Sequence, residues 1–281
     1  MVGLDVLSPD LNPLILTHCG KLGDFVYAWP IAAWLYRQTG RKIHWVLPRG
    51  FSPFRRVESL LLRQEFSQQL TLVDFPVRCF GCGGQPYRFN PADYGVAGEY
   101  LNLGFRWWAN KFVTEYQAEE HGLGWDADWV LDPGLENSKD RALIQDPGAE
   151  AGVEAMVATE QAAIPAAPSA RLDLNQEVLF NVRRLATARE RHCFFSGMAA
   201  ILYFARLPFI LYREPWQPSL DLYFPDRSRY ELRELPGGSP PPDIEQEKWI
   251  TRWVVVREEC KRRLFRGGRQ ALGQQLYRKR A

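Results

Sequence analysis

Three short stretches hold side chains whose type and spacing suit chemistry. The first is Gly20-Lys21-Leu22-Gly23-Asp24, directly after the apolar run Pro13 to Cys19. Glycines flank the turn, and Asp24 falls where an apolar, helix-spaced stretch begins. A carboxylate there either takes a proton from a reacting hydroxyl or serves as a helix cap and dipole partner. Lys21 either adds positive charge beside a bound anion or is simply solvated. The second stretch is Ser196-Gly197-Met198, between the run His192 to Phe195 and an apolar helix, Met198 to Ala205. Backbone N–H groups at a helix start bind anions, and glycine permits close approach. The same small residues equally suit tight packing of a helix on a sheet. The third is Arg213-Glu214, after the run Pro208 to Tyr212, where Glu214 is placed to accept hydrogen bonds from ribose hydroxyls.

Other candidates carry weaker chemistry. Cys79-x-x-Cys82 has metal-ligand spacing, but no second pair completes a zinc set and glycines surround it, so these read as incidental loop cysteines. No metal site is expected. His18 and His192 fall in or beside predicted strands and read as satisfied core histidines. Tyr87 to Trp129 is dense in aromatics. Trp107 and Trp108 lead as surfaces for stacking a sugar or base, with Glu99, Asn102 and Asn110 nearby as hydrogen-bonding groups. Most of these rings are expected to be packing, because aromatics carry large burial energies wherever they sit.

The elements that must hold these residues follow from periodicity. Pro13 to Cys19, Ile43 to Leu47 and Leu70 to Val73 read as buried strands; Phe25 to Thr39 and Phe54 to Phe66 read as helices. Gly40 stops the first helix. This alternation predicts a parallel, doubly wound sheet with His18 to Asp24 at the strand C-terminal edge. From Arg78 to Gly134 the pattern gives way to long aromatic loops, with one helix over Asn110 to His121. Glu136 to Ala170 is rich in Ala, Pro and Gly with one strand at Ala155 to Thr159, and regularity then resumes with a helix over Gln176 to Arg189 and strands at His192 to Phe195 and Pro208 to Tyr212. The expected organisation is an N-terminal Rossmann-like unit over 1–134 and a shortened second unit over 135–243. Pro236 to Pro242 breaks the chain, and a basic, largely helical segment covers 244–281.

Bulk properties bound the class. With 281 residues, 46% hydrophobic and 24% charged, the chain has globular composition and enough length for two small domains. Its net charge is +2, but residues 244–281 hold eleven Lys or Arg against four Glu, a local +7 that leaves −5 for the remainder. That basic end suits phosphate, nucleic acid or an anionic membrane surface, or is a solvated helix face. No stretch approaches the roughly 20 apolar residues of a membrane span, and Met1 to Asp10 has no signal-peptide pattern. Five cysteines without framework spacing suit a reducing, cytoplasmic setting.

Two of these stretches carry a family resemblance. Gly20-Lys21-Leu22-Gly23-Asp24, set before a helix that contains Pro30, resembles the Leu-Gly-Asp turn near the start of bacterial heptosyltransferases. Cys193-Phe194-Phe195-Ser196-Gly197-Met198-Ala199-Ala200, running on to Arg206-Leu207-Pro208-Phe209, is similar to the strand, small-residue turn and apolar helix of their second domain. The resemblance implies an α/β fold of two Rossmann-like domains facing a central cleft, here with a shortened second domain. It implies an inverting glycosyltransferase that needs no metal or other cofactor, with a nucleotide sugar held mainly by the second domain and the acceptor mainly by the first. Asp24 would be the base. Ser196, Gly197, Met198, Arg213 and Glu214 would bind the donor, while Gly20, Lys21, Gly23, Trp107 and Trp108 would face acceptor or phosphate. Such an enzyme would work in the cytoplasm of a bacterial or phage-infected cell. Its acceptor would be a glycan, with peripheral membrane contact, or hydroxymethylated phage-type DNA reached through the basic segment (Arg257, Lys261, Arg262 and Arg263 among others).

Two departures leave the donor open: Phe195 stands where the family has an acidic residue before the small one, and the second half lacks a Lys-Arg-Trp-type phosphate stretch. The missing stretch and the short second unit support a second reading, a nucleotide- or sugar-binding module of the same fold without turnover. A dehydrogenase ranks last, because Gly20 to Asp24 has only two of the glycines of a dinucleotide turn.

Overall fold

The computed structural model describes residues 12–18, 22–49, 56–74, 89–104, 109, 111–134, 142–144, 169–173, 176–215, 217 and 219–235. Several expectations therefore lie outside the described residues: those on Gly20, Lys21, Cys79, Cys82, Trp107, Trp108 and Asn110, the strand at Ala155 to Thr159, and the segments 236–242 and 244–281.

The first half builds a four-stranded parallel sheet in the order β3-β2-β1-β4. Its strands are β1 (Leu14–Thr17), β2 (Ile43–Pro48), β3 (Ser67–Val73) and β4 (Tyr100–Asn102). Every residue of β1 and β2 is buried, which is why both read as unbroken apolar runs rather than alternating ones. The connections hold α1 (Leu22–Tyr27), α2 (Trp29–Thr39) and α3 (Glu58–Leu61), and α4 (Val113–Glu120) follows β4.

The predicted helix Phe25 to Thr39 starts earlier and is broken. Ala28 N donates to Phe25 O, a tighter turn than the α-helix uses, and Pro30 takes the second position of α2, where its missing N–H leaves no gap. Gly40, at φ 66°, ends α2 by donating its N–H to Tyr36 O. The helix expected over Phe54 to Phe66 reduces to the single turn α3. Helix α4 is shorter than the stretch Asn110 to His121 that suggested it.

The second half builds a five-stranded parallel sheet in the order β6-β5-β7-β8-β9. Here β5 is Ala142–Ile144, β6 Ser169–Arg171, β7 Glu190–Phe194, β8 Phe209–Arg213 and β9 Tyr230–Glu234. Between them run α5 (Val178–Thr187), α6 (Gly197–Phe204) and α7 (Leu220–Tyr223). Ser196 is extended and its Oγ accepts from Ala199 N at 3.4 Å, a side-chain cap that starts α6. All but the first residue of α6 are buried, the signature of a helix enclosed by protein on every side. Arg206, at φ 53°, turns the chain out of α6, where Leu207 N reaches back to Leu202 O.

Helix α6 is where the halves meet. It packs on α1, and a single hydrophobic core runs from Leu14, Leu16, Trp29 and Trp45 of the first half through Tyr27 and Phe204 to Leu211 and Phe224 of the second. The aromatic surplus is spent largely here. Tyr27 makes edge contacts with Phe204, Tyr223 and Phe224 at 5.3, 5.6 and 6.5 Å, and its hydroxyl donates to Tyr223 O at 2.7 Å. Backbone also crosses the boundary: Leu131 N donates to Phe204 O at 3.1 Å.

Candidate functional site

Strand order decides where a ligand has room. In an open parallel sheet the crevice forms beyond the strand C-termini, at the point where the winding reverses. In the first sheet that point lies between β1 and β4, at Thr17–His18 and Asn102–Leu103. In the second it lies between β5 and β7, and the chain leaving β7 there is Phe195-Ser196-Gly197. The two motifs singled out in the sequence therefore sit at the two reversal points.

They also touch. A Cβ placed on Gly197 would lie 3.0 Å from Gly23 N and 3.1 Å from Leu22 Cγ, and one placed on Gly23 would lie 3.6 Å from Gly197 Cα. Helices α1 and α6 thus start side by side, with backbone against backbone. Both N-termini bring positive dipole ends to one place, which favours a bound anion. Asp24, in the first turn of α1, is half-buried beside this junction, and Ser196 and Gly197 are half-buried on its other side.

The remaining predicted residues divide. Met198 is buried in the shared core, so its side chain packs rather than contacts a ligand. Arg213 and Glu214 are fastened to their own loop. Arg213 Nη2 donates to Gln217 O at 3.1 Å and lies in an ion pair with Glu234 at 3.5 Å. Glu214 N donates to Gln217 Oε1 at 3.0 Å, and the Glu214 residue is only 2% exposed. Of the polar loop residues, Asn102 Oδ1 accepts from Gly104 N, and Glu99 pairs with Arg41 at 2.7 Å. Among the described residues no group of three or more His, Cys, Asp or Glu could hold a metal ion, and no helix is long and apolar enough to cross a membrane.

The histidines are core groups, as their strand positions suggested. His192 Nδ1 lies 3.0 Å from the Tyr212 hydroxyl, and burial lowers its pKa despite Glu190 nearby. His18 is 1% exposed, with its ring 5.7 Å from that of Phe25. Burial, helped by the charge of His121, drives its pKa from 6.5 down to about 3. The imidazole is therefore neutral at any working pH.

A residue that sequence reasoning missed lies under this turn. Gln117, on α4 and fully buried, donates from Nε2 to Asp24 O at 3.1 Å and lies 3.4 Å from His18 Nε2. One turn away on the same face, Thr114 Oγ1 donates to Tyr27 O at 2.8 Å. No periodicity or motif marks these two, and the contacts span 93 and 87 residues.

No protein-family model matches the sequence, and no curated protein matches it. Solved structures do. A glycosyl transferase family 9 protein from Veillonella parvula superposes with a TM-score of 0.53 at 11% identity, over 81% of this chain and 87% of that one. The heptosyltransferase WaaC of E. coli, solved with ADP, superposes with a TM-score of 0.52 at 11% identity, over 80% of this chain and 94% of that one. The chain shares the fold of these two structures. The expected mixed α/β architecture with two parallel sheets is the one observed, and the alignments span both halves.

Proposed function

We propose that this protein is a glycosyltransferase that moves a sugar from a nucleotide-sugar donor to an acceptor hydroxyl, with inversion and without a metal. One observation carries the reading: the two helix starts, bearing Asp24 and Ser196-Gly197, converge in contact at the reversal points of both sheets. In this reading Asp24 takes the proton of the acceptor hydroxyl. The oxygen then attacks the anomeric carbon from the face opposite the diphosphate, the carbon–oxygen bond to the diphosphate breaks, and the diphosphate leaves as an anion. In the same reading the N–H groups at the start of α6 meet that charge, and such fixed dipoles need no reorganisation during reaction. The solved relative with ADP makes a nucleoside diphosphate the first leaving group to test. A glycan hydroxyl is the acceptor we favour. The DNA and membrane alternatives rest on the basic segment 244–281, outside the described residues. Cytoplasmic placement, where nucleotide donors are available, fits the cysteine usage.

A second reading, a donor-binding module without turnover, has its own observation. Phe195, in place of the acidic residue, packs its ring on Tyr223 and Phe224 at 5.0 and 5.4 Å and brings no charge to the junction.

A thermal-shift screen against UDP, ADP, GDP, CMP and NAD separates the readings. A nucleoside diphosphate present at a hundredfold over its Kd adds about 2.7 kcal/mol, a rise in Tm of roughly 5 °C. Asp24→Asn should then keep that shift and lose about 100- to 10,000-fold in transfer rate. A shift with no turnover of any sugar conjugate favours the module. A shift with NAD alone, or none at all, overturns both.

A further inference from the structure

One side chain of α4 reaches both described flanks of the β1–α1 connection, His18 and Asp24. Gln117 projects from α4 into the core and is fully buried. Its two described contacts are the Asp24 carbonyl at 3.1 Å and Nε2 of the His18 imidazole at 3.4 Å, which accepts when the ring carries its proton on Nδ1. A carbonyl oxygen can only accept, so the NH2 of the carboxamide must face this pair and its two hydrogens can serve both. The chain around Asp24 gives the carbonyl reason to look outward. Ala28 N, which an unbroken α-helix would aim at Asp24 O, donates to Phe25 O at 3.0 Å. Gln117 therefore reaches the residue before β1 gives way to the turn and the residue in the first turn of α1, and ties them to a third element.

We propose that Gln117 is a positioning residue for the candidate site: its carboxamide clamps the backbone of Asp24 against His18 and so sets where the Asp24 carboxylate points. The proposal rests on the reading of Asp24 as the base. Gln117 touches no substrate. It acts by fixing the main chain of a group that must meet an acceptor hydroxyl within hydrogen-bond reach, where a displacement of one ångström costs about 100-fold in rate.

Thr114 supplies the control. It makes a matching bond from the same face of α4 to α1, but to Tyr27 O, one turn further from Asp24. The experiment compares the full chain with Gln117→Leu and Thr114→Val. ADP release from ADP-heptose, with water as acceptor, gives kcat and KM. Gln117→Leu should lose roughly 10- to 100-fold in kcat with KM for the donor held within about twofold, and Thr114→Val should keep kcat within about twofold. Unchanged kcat in Gln117→Leu, or an equal loss in both variants, overturns the proposal. Hydrogen exchange is read in parallel and needs no substrate. Amides of Leu22 to Tyr27 should exchange about tenfold faster in Gln117→Leu, with β7 and α6 unchanged. Equal exchange in that variant and wild type overturns the clamp by itself. A wild-type chain that releases no ADP counts against this donor, not against the clamp, and exchange then decides alone.

Discussion

His18 shows how a site can draw on a group that does no chemistry. It follows β1 at the reversal point of the first sheet, yet the imidazole is enclosed and its pKa lies at about 3 instead of 6.5. The sign of the consequence is fixed. Above pH 6.5 the imidazole is neutral in both folded and unfolded chains, and its burial carries no proton penalty. As pH falls below 6.5 the unfolded chain binds a proton that the folded chain refuses, so stability is lost on the way down to about 3. The slope from this residue is about 1.4 kcal/mol per pH unit. His44 and His192, also lowered by burial, act in the same direction. Urea unfolding at about pH 7 and about pH 5 isolates the His18 share when wild type is compared with His18→Gln: the variant should lose about 2 kcal/mol less across that interval. Parallel losses in the two proteins would show that His18 is not held neutral. Asp24, six residues on, sits half-buried at the junction of α1 with α6. Under the proposed function, His18 is the structural group of this stretch and Asp24 the reactive one.

At the scale of elements, the junction of α1 with α6 sets different demands on its two glycines. A methyl group on Gly197 meets a backbone nitrogen at 3.0 Å and the Leu22 side chain at 3.1 and 3.2 Å, while one on Gly23 meets only ordinary contacts at 3.6 and 3.7 Å. Gly197→Ala should therefore force the helix starts apart, with a loss of about 1–3 kcal/mol. Gly23→Ala, inside α1, should be neutral or stabilise by up to about 1 kcal/mol. Chemical unfolding of both variants checks this, and the reverse order would mean that the helices do not meet at Gly197. Both motifs were legible in sequence because each joins an enclosed strand to a helix through small residues, a local pattern. So, to within a few residues, were β1, β2, β7, β8, α5 and α6, where apolar residues run together or recur at helical spacing. The break at Ala28 was not, since Pro30 is tolerated in a first helical turn and gives no stop signal of its own. Strand β4 is three residues and owes its place to Ile15 N and Leu103 N bonding across β1, information held in no local pattern. Strand β9, Tyr-Glu-Leu-Arg-Glu, carries charges on an edge, where they deter further pairing and mask the strand as a loop. Gln117 was illegible for the same reason as β4, because its value lies in contacts 93 and 99 residues away.

At the scale of the whole molecule, the two Rossmann-like halves are joined by more than a linker. Tyr27 and Phe204 belong to opposite halves and to one cluster, and Phe112 and Trp129 of the first half pack on Phe204 at 6.4 and 5.7 Å. A boundary built of buried aromatics and crossed by the Leu131–Phe204 backbone bond should not open independently of the sheets it joins, whereas a polar boundary would. The chain should therefore unfold as one unit. The buried Tyr27 hydroxyl, whose pKa is raised well above its ordinary value by burial, is bonded to Tyr223 O across that boundary. Tyr27→Phe removes this bond and should cost about 1–1.5 kcal/mol. Because the halves share the core, the loss should not stay on one side. Tryptophan fluorescence, which is weighted to the first half through Trp29, Trp34, Trp45, Trp125 and Trp129, and far-UV circular dichroism should give coincident curves that move together in the variant. Hydrogen exchange at the amides of β8, in the half that does not carry the substitution, should accelerate with that of β2. Two separated transitions, or faster exchange in β2 alone, would show that the aromatic boundary is a contact between independent domains, and the helix starts that carry Asp24 and Gly197 would then be free to part.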